Sequence, residues 1–380
     1  MFILKSAMNH VIIYLFLVSR PFFINLVKIC SMRKSYLYYK LAIVLLAALG
    51  TQSCSKDNSI NNTTVIATPY SLYFCDSSGS LWNTNDGIFF KTSVFPSDGV
   101  PSLAILTADT NLLWIKSGVP VGKVTAHIST DNGKNFNPTY SPLNPLSFDQ
   151  TIALYSSDEQ RVYIATGDGI YNGVKYNTMG GIPNQWVDDI KMPIVPGTMI
   201  TSFTELNNNT IVAFDWTTQR LFTKASATAP WIQQIQSTIN PLPAGGQFAL
   251  GHYNNTIVLV DRTGLNGAWY SQNSGVDWFP YSTGLPKVPL NVAFAPFGST
   301  LLVGTDSNGV FALQGSGFVS ANGGLDIGTT VRSIVAKENI YVNGVSVQFV
   351  YMATNKGIFR SQDLGQNWIP VRLGNYYSVY

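Results

Sequence analysis

The chain has 380 residues, of which 46% are hydrophobic and 11% are charged, whereas an average soluble domain has roughly 25% charged residues, so disorder and a coiled coil are excluded. Glycine and aromatic residues are abundant, and Asn, Ser and Thr separate short apolar runs, so we expect an all-β protein of short strands and tight turns. Six of the 23 Lys and Arg residues lie in the first 53 residues, which contain no Asp or Glu. The rest of the chain therefore has 17 basic against 20 acidic residues, and we expect no nucleic-acid partner.

The segment before Cys54 predicts an export signal. Arg33 and Lys34 form a basic start, residues 41–49 are an apolar stretch too short to anchor in a bilayer, and small and polar residues follow. This arrangement resembles the signal of Bacteroidetes lipoproteins, with Thr51 at the position where Leu is usual. The resemblance implies that Cys54 is lipidated and becomes the first residue of the mature protein.

The start of the chain has competing interpretations. The signal that begins at Met32 is complete by itself, so we interpret residues 1–53 as a signal region whose true start is Met32. A transmembrane helix within residues 1–31 is the alternative. For the end of the signal, the alternative is an ordinary signal peptide that is cut near Ala48 or Ser53 and leaves Cys54 as a plain thiol.

Residues 54–64 are predicted to be the lipidated Cys54 and a polar tether, and residues 65–380 to be the folded body. Charged residues soon after Cys54 resemble, in part, the signal of surface-exposed lipoproteins. We therefore expect an exported protein, anchored by lipid in the outer membrane or at the cell surface. Cys75 would then have no cysteine partner, so the body must be stabilised by its core rather than by disulfides.

The body contains an internal repeat: residues 73–90 and 351–368 align without a gap. Its second half reads Ser-x-Asp-x-Gly-x-x-aromatic, which suits a hairpin turn. In such a turn the Asp or Asn accepts backbone N–H bonds, the Gly takes a positive φ and the aromatic residue packs between sheets. We interpret the residues of this pattern as structural. A degraded copy spans residues 83–90, and the preserved copies are Ser129, Asp131, Gly133 and Phe136; Ser271, Asn273, Gly275 and Trp278; and Ser361, Asp363, Gly365 and Trp368.

The pattern resembles the Asp-box, or BNR, repeat of sialidase-like and sortilin-like β-propellers and of the photosystem II assembly factor family. The resemblance implies a propeller whose boxes lie on the rim, away from the central site. The glycines of the four copies, at positions 87, 133, 275 and 365, are separated by about one, three and two units of 46 residues. We therefore predict a seven-bladed β-propeller of four-stranded antiparallel blades. Residues 375–380 are expected to complete the sheet that begins near residue 73.

Candidate catalytic residues do not form a local signature. Sialidases, which the repeat resembles, require three arginines, a Tyr–Glu pair and an Asp, and none of the six arginines of the body lies in the motif of the first sialidase arginine. Asp188 and Asp189 are adjacent, so they point to opposite faces of a strand and are interpreted as solvated carboxylates. His127 and His252 have no second ligand at metal spacing. We therefore predict no catalytic, cofactor or metal site. The six arginines are Arg161, Arg220, Arg262, Arg332, Arg360 and Arg372.

The sequence favours a binding or scaffold module over an enzyme. We expect a monomeric, lipid-anchored propeller of the cell envelope that binds a glycan, a peptide or an envelope protein through the loops of one face. The alternative is a divergent exo-glycosidase of the sialidase-like superfamily, which would be the enzyme class if the chain is an enzyme. A scaffold for assembly of a membrane complex, as in the photosystem II factor family, is the third hypothesis.

Overall fold

The computed structural model places the chain in two units, residues 1–65 and residues 66–380. In the first unit, β1 (Ile3–Ala7) and β2 (His10–Tyr14) pair as an antiparallel hairpin. The predicted signal start at Met32 and the predicted lipidation site at Cys54 lie outside the described residues. The residues that the structure describes are 3–7, 10–14, 72–84, 91–92, 102–108, 111–117, 124–129, 131, 135–139, 152–156, 161–166, 173–178, 187–189, 200–215, 217–226, 228–281, 284–287, 292–297, 300–342 and 345–380.

The second unit is built from four-stranded antiparallel sheets, and its described residues form seven of them, numbered 1 to 7 in chain order. Sheets 1 to 4 consist of β3 (Leu72–Asp76), β4 (Leu81–Thr84) and β5 (Lys91–Thr92) with the last strand of the chain, β30 (Tyr376–Val379); β6 (Ser102–Ala108), β7 (Asn111–Ser117), β8 (Val124–Ser129) and β9 (Asn137–Thr139); β10 (Ile152–Ser156), β11 (Arg161–Thr166), β12 (Gly173–Thr178) and β13 (Val187–Asp188); and β14 (Ser202–Glu205), β15 (Ile211–Asp215), β16 (Arg220–Lys224) and β17 (Ile232–Gln234). Sheets 5 to 7 consist of β18 (Phe248–Tyr253), β19 (Thr256–Asp261), β20 (Ala268–Ser271) and β21 (Phe279–Pro280); β22 (Val292–Phe297), β23 (Thr300–Thr305), β24 (Gly309–Gln314) and β25 (Gly317–Ser320); and β26 (Val331–Val342), β27 (Val345–Thr354), β28 (Gly357–Ser361) and β29 (Ile369–Leu373).

The strands of each sheet follow one another from an inner strand through a second and a third to an outer strand. In sheet 1 the inner strand is β30. The inner strands of neighbouring sheets contact each other in the order β30, β6, β10, β14, β18, β22 and β26, and β26 contacts β30 again. The sheets therefore surround a common centre, as the blades of a propeller do. The predicted all-β fold is confirmed.

The two ends of the second unit meet in sheet 1. β30 pairs antiparallel with β3, and the backbone N–H groups of Tyr73 and Tyr380 each donate to the carbonyl of the other at 2.8 Å. The predicted completion of this sheet by the last residues of the chain is confirmed. Pairing with β30 covers the edge that β3 would otherwise leave open at the centre.

The hydrophobic core lies in layers between adjacent sheets. Phe214 and Leu221 of sheet 4 pack against Phe248 and Trp278 of sheet 5, and comparable layers lie between sheets 5 and 6, 6 and 7, and 7 and 1. Every residue of β15 is buried, because a second strand is covered on both faces by neighbouring sheets. The apolar run at residues 210–214 of the sequence therefore falls on a second strand.

Sheet 7 contains the longest strands of the described second unit. β26 and β27 continue as a hairpin beyond the point where β28 stops pairing, at Val350. The described part of the chain holds no helix of the length and apolar character that a membrane crossing requires.

Candidate functional site

The predicted box residues form turns between the third and outer strands. In sheet 7, the Ser361 hydroxyl donates to Asp363 Oδ1 at 2.8 Å, and the same oxygen accepts the backbone N–H of Asn367 at 2.9 Å. The N–H of Gly365, which has a φ of 81°, donates to Ser361 Oγ at 3.0 Å. The indole of Trp368 is buried and donates to the carbonyl of Ala321 in sheet 6 at 2.8 Å.

The copy in sheet 5 has the same contacts with an amide in place of the carboxylate. The Ser271 hydroxyl donates to Asn273 Oδ1 at 3.0 Å, which also accepts the N–H of Asp277 at 2.9 Å. Gly275 has a φ of 87° and donates its N–H to Ser271 Oγ at 2.8 Å, and Trp278 is buried. A neutral Asn273 therefore supports this turn as the carboxylate does in sheet 7.

The copy in sheet 2 repeats the central contacts. The Ser129 hydroxyl donates to Asp131 Oδ1 at 2.8 Å, and the N–H of Asn135 donates to the same oxygen at 2.9 Å. Phe136 is half-buried, while Gly133 and residues 85–90 of the degraded copy lie outside the described residues. In all three turns the Asp or Asn side chain bonds to its own turn, which favours the structural interpretation of these residues. We call the end of the molecule that carries these turns the box end.

Sheet 4 carries a buried ion pair at the corresponding place. Lys224 ends the third strand where sheets 2, 5 and 7 have the box serine, and Trp231 follows at the spacing of Ser361 and Trp368. Lys224 Nζ contacts Asp189 Oδ1 at 2.8 Å and Oδ2 at 3.0 Å, and both side chains are fully buried.

The interpretation of Asp189 as a solvated carboxylate is therefore wrong. Asp189 follows the outer strand of sheet 3 and accepts the Trp231 indole N–H at 2.7 Å in addition to the Lys224 bonds. An ammonium group that replaces the box hydroxyl inside the molecule requires a buried counter-charge, and the adjacent sheet supplies it. The spacing from Lys224 to Trp231, which equals the box spacing, is the sequence signal that identifies this position.

The opposite end of the molecule, which we call the cap end, carries the turns between second and third strands. Each second strand ends in Asp, Ser or Thr, and where the turn is described in full this side chain bonds to the turn. Asp261 Oδ1, for example, accepts the N–H of Thr263 at 3.0 Å, and Thr354 Oγ1 donates to the Gly357 carbonyl at 2.8 Å. The terminal residues of the second strands are Asp76, Ser117, Thr166, Asp215, Asp261, Thr305 and Thr354.

An arginine and a tyrosine pack together on the inner strands at the cap end. Arg332 is the second residue of β26, and its guanidinium carbon lies 4.1 Å from the ring centroid of Tyr377 in β30. Arg332 Nη1 donates to Asn375 Oδ1 at 2.7 Å and to the Tyr376 carbonyl at 3.1 Å. Tyr377 is 37% exposed, and no described carboxylate pairs with Arg332. The other two nitrogens of this guanidinium, Nε and Nη2, therefore have no described hydrogen-bond partner.

A second arginine joins the same segment from the outer strand of sheet 7. Arg372 stacks on Trp82 at 3.9 Å from the ring centroid, and its Nε donates to the Tyr376 hydroxyl at 2.7 Å. Burial raises the pKa of Tyr376, and the nearby Arg372 charge only partly offsets this, so the phenol stays neutral. Of the six arginines, the structure thus brings Arg332 and Arg372 to the chain closure, whereas Arg360 lies elsewhere, over Phe349.

The histidines take no part in these clusters. His252 Nδ1 lies 2.6 Å from Thr204 Oγ1 of the neighbouring inner strand, and burial lowers the pKa of His252 to about 4, so the ring is neutral. His127 lies in β8 of sheet 2. Among the described residues, no group of three or more His, Cys, Asp or Glu side chains could hold a metal ion.

No protein-family model matches the chain, and no curated protein sequence matches it. Its structure is similar to that of YCF48 bound to D1 peptide, at 11% identity and a TM-score of 0.52, over 77% of this chain and 89% of that one. Virginiamycin B lyase from Staphylococcus aureus gives 13% identity and a TM-score of 0.52, over 71% and 84%. These neighbours are β-propeller proteins.

The chain has a β-propeller fold. A structure from a study of two prolyl endopeptidases agrees, with 9% identity and a TM-score of 0.51, over 77% of this propeller and 46% of that chain. Identities this low establish the architecture alone. The chemistry of this propeller therefore has to be argued from its own side chains.

Proposed function

We propose that the chain is a lipid-anchored binding module of the cell envelope, built as a seven-bladed Asp-box propeller. The seven sheets and the ring of contacts between their inner strands support the blade count. The shared hydrogen bonds of the turns at Asp131, Asn273 and Asp363 support the Asp-box type. The basic, apolar and small-residue pattern that ends at Cys54 supports the lipid anchor.

The observation that carries the binding function is the Arg332–Tyr377 pair. It lies on two inner strands at the cap end, where the second-to-third turns of the blades converge around the centre. A guanidinium stacked on a tyrosine ring offers directional donors beside an apolar face, which suits both a sugar ring and a peptide. The ligand class is therefore a glycan, a peptide or an exposed segment of an envelope protein. The fold can accommodate a peptide, as the YCF48 structure holds one.

The binding proposal is tested with the full chain, purified in detergent and applied to glycan and peptide arrays. The variant Arg332→Ala should lose the bound ligands. Lys356→Ala removes an exposed charge at the same end and should keep them, since the described hydrogen bonds of Lys356 are those of its backbone N–H and carbonyl and not of its side chain. Equal binding by wild type and Arg332→Ala would reject Arg332 as the contact.

An exo-glycosidase is the second candidate because two arginines, Arg332 and Arg372, both bond to Tyr376. Hydrolysis of aryl-glycosides, sialosides included, tests this candidate. Turnover that a single carboxylate substitution abolishes would replace the binding proposal with an enzymatic one.

A further inference from the structure

Two basic side chains share one face of sheet 7 without an acidic partner. Lys337 stands opposite Phe349 in the β26–β27 register, and the guanidinium carbon of Arg360 lies 4.8 Å from the Phe349 ring centroid. No carboxylate of the described residues pairs with either cation. Arg360 Nε is buried and has no hydrogen-bond partner there. Both cations therefore lie beside the same aromatic ring without a counter-charge.

Lys224 of sheet 4 has the buried counter-charge that Lys337 and Arg360 of sheet 7 lack among the described residues. Lys224 is buried against Asp189, whereas burial lowers the pKa of Lys337 to about 8, because no anion offsets the lost hydration. Buried charges in proteins are paired as a rule. An anionic group between Lys337 and Arg360 would restore that pairing.

A free strand edge lies next to these cations. β28 pairs with β27 only from Val350 to Ala353, while β26 continues along the other edge of β27 to Val345. Residues 345–349 therefore present one edge that no described strand pairs. A cleft of about 420 Å³ lies beside this edge, so there is room for another segment. The cleft is lined by Phe297, Ser346, Val347, Gln348, Gln362 and Leu364.

The cations lie on one face of this edge, whereas Ser346 and Gln348 of the cleft lie on the other. Side chains alternate along a strand, and Val350 packs towards sheet 6 while Phe349 and Tyr351 pack towards sheet 1. Gln348 therefore shares the face of Val350. An extended segment added along the edge would place alternate side chains at the cations and in the cleft.

Leu364 marks the cleft as a contact surface. It has a φ of 59°, in the left-handed region that disfavours a bulky residue, and its side chain is 41% exposed. The equivalent position in the sheet 5 turn is Ser274, with the same φ of 59°. A leucine here therefore costs backbone strain without gaining burial, and its exposed side chain contributes an apolar wall to the cleft.

We propose that residues 345–349 bind an extended acidic peptide, which adds as a strand to the free edge of β27. Its acidic side chains would meet Lys337 and Arg360, and the alternate side chains would fill the cleft at Leu364. Unpaired backbone groups along the edge favour a peptide over a glycan, because main-chain hydrogen bonds supply the affinity in strand addition. This site is at the box end, whereas Arg332 is at the cap end. An experiment can therefore reject binding at one site without rejecting binding at the other.

The probe is a fluorescein-labelled peptide of alternating Val and Asp, seven residues long, with blocked ends. The full chain in detergent is titrated with it by fluorescence anisotropy, beside an analogue that has Asn for Asp. The Asp peptide should bind about tenfold more tightly than the Asn analogue, since hydrogen bonds to charged groups are the stronger kind. The backbone amides of residues 345–349 should gain protection from hydrogen exchange on binding.

Variants separate the charge contacts from the fold. Arg360→Gln and Lys337→Gln should each remove most of the preference for Asp, while Lys356→Gln, at an exposed lysine, should retain it. Circular dichroism identifies any variant that fails to fold. If Arg360→Gln does not fold, Lys337→Gln alone tests the charge contacts. Equal affinity for the Asp and Asn peptides, or unchanged exchange at residues 345–349, would overturn the proposal. An oligogalacturonate that binds more tightly than the peptide would reassign the site to an acidic glycan.

Discussion

Lys224 and Ser361 occupy equivalent positions in two blades, yet their burial is compensated in different ways. The Ser361 hydroxyl is satisfied inside its own turn, by Asp363 and Gly365. The Lys224 ammonium depends on Asp189 of the adjacent blade. The first arrangement stabilises a turn, and the second also links two blades.

The ion pair leads to a prediction about stability. Lys224→Met leaves the Asp189 carboxylate buried without a counter-charge and should lower the free energy of unfolding by about 3–5 kcal/mol. The double variant Lys224→Met with Asp189→Leu should recover much of that loss, because no uncompensated charge remains. Urea denaturation of the three proteins measures both effects. If the double variant is no more stable than Lys224→Met, the unpaired Asp189 charge is not the cause of the lost stability.

The box in sheet 7 gives a second prediction. Trp368→Ala should cost about 3–5 kcal/mol because the indole is buried between blades. Asp363→Ala should cost about 1–3 kcal/mol because it leaves the Asn367 N–H without its acceptor. Asp326→Ala removes an exposed carboxylate and is the matched control, with no expected change. Loss of ligand binding by Asp363→Ala at full stability would instead assign the box to ligand contact.

At the scale of strands and turns, the sequence predicts the strands and box turns that recur in several blades. It does not predict the contacts and strand extensions that occur in one blade only. Short apolar runs mark the second strands because both of their faces are covered. The buried partner of Lys224 was not predictable, since Asp189 belongs to another blade and local spacing carries no information on contacts between blades. The extension of β26 and β27 was also missed, because its polar residues, such as Gln348, do not follow the apolar pattern of a covered strand.

The closing strand leads to a third prediction. Deletion of residues 374–380 removes β30 and leaves β3 with an open inner edge, so the whole propeller should unfold at a lower temperature in one cooperative transition. Deletion of residues 58–64, an equal length of the predicted tether, should leave that transition unchanged. Differential scanning calorimetry compares the three proteins. An unaltered melting temperature after the first deletion would mean that the ring does not depend on this pairing.

At the scale of the whole molecule, the body is expected to sit at a membrane through Cys54 alone, because the described second strands such as β15 and β19 are already covered by neighbouring blades. Lipidation by several acyl chains is sufficient for stable anchoring, whereas one chain is marginal. Cys54→Ala should therefore yield a soluble folded propeller or an uncleaved precursor. Metabolic labelling with an alkyne fatty acid measures the modification. Wild-type protein that stays in the membrane without label would contradict it.

The pairing of β30 with β3 also constrains when folding can finish. The inner strand of sheet 1 comes from residues 376–379, so the first blade is incomplete until residue 379 has left the ribosome. If the chain is exported as predicted and its transport begins before residues 376–379 are made, its ring cannot close before the chain enters the channel, which keeps the chain in the unfolded form that translocation through a narrow channel requires. A pairing between strands so distant in sequence also makes ring closure a slow step of folding. Closure by β30 thus delays the native state until residues 376–379 are available to pair with β3.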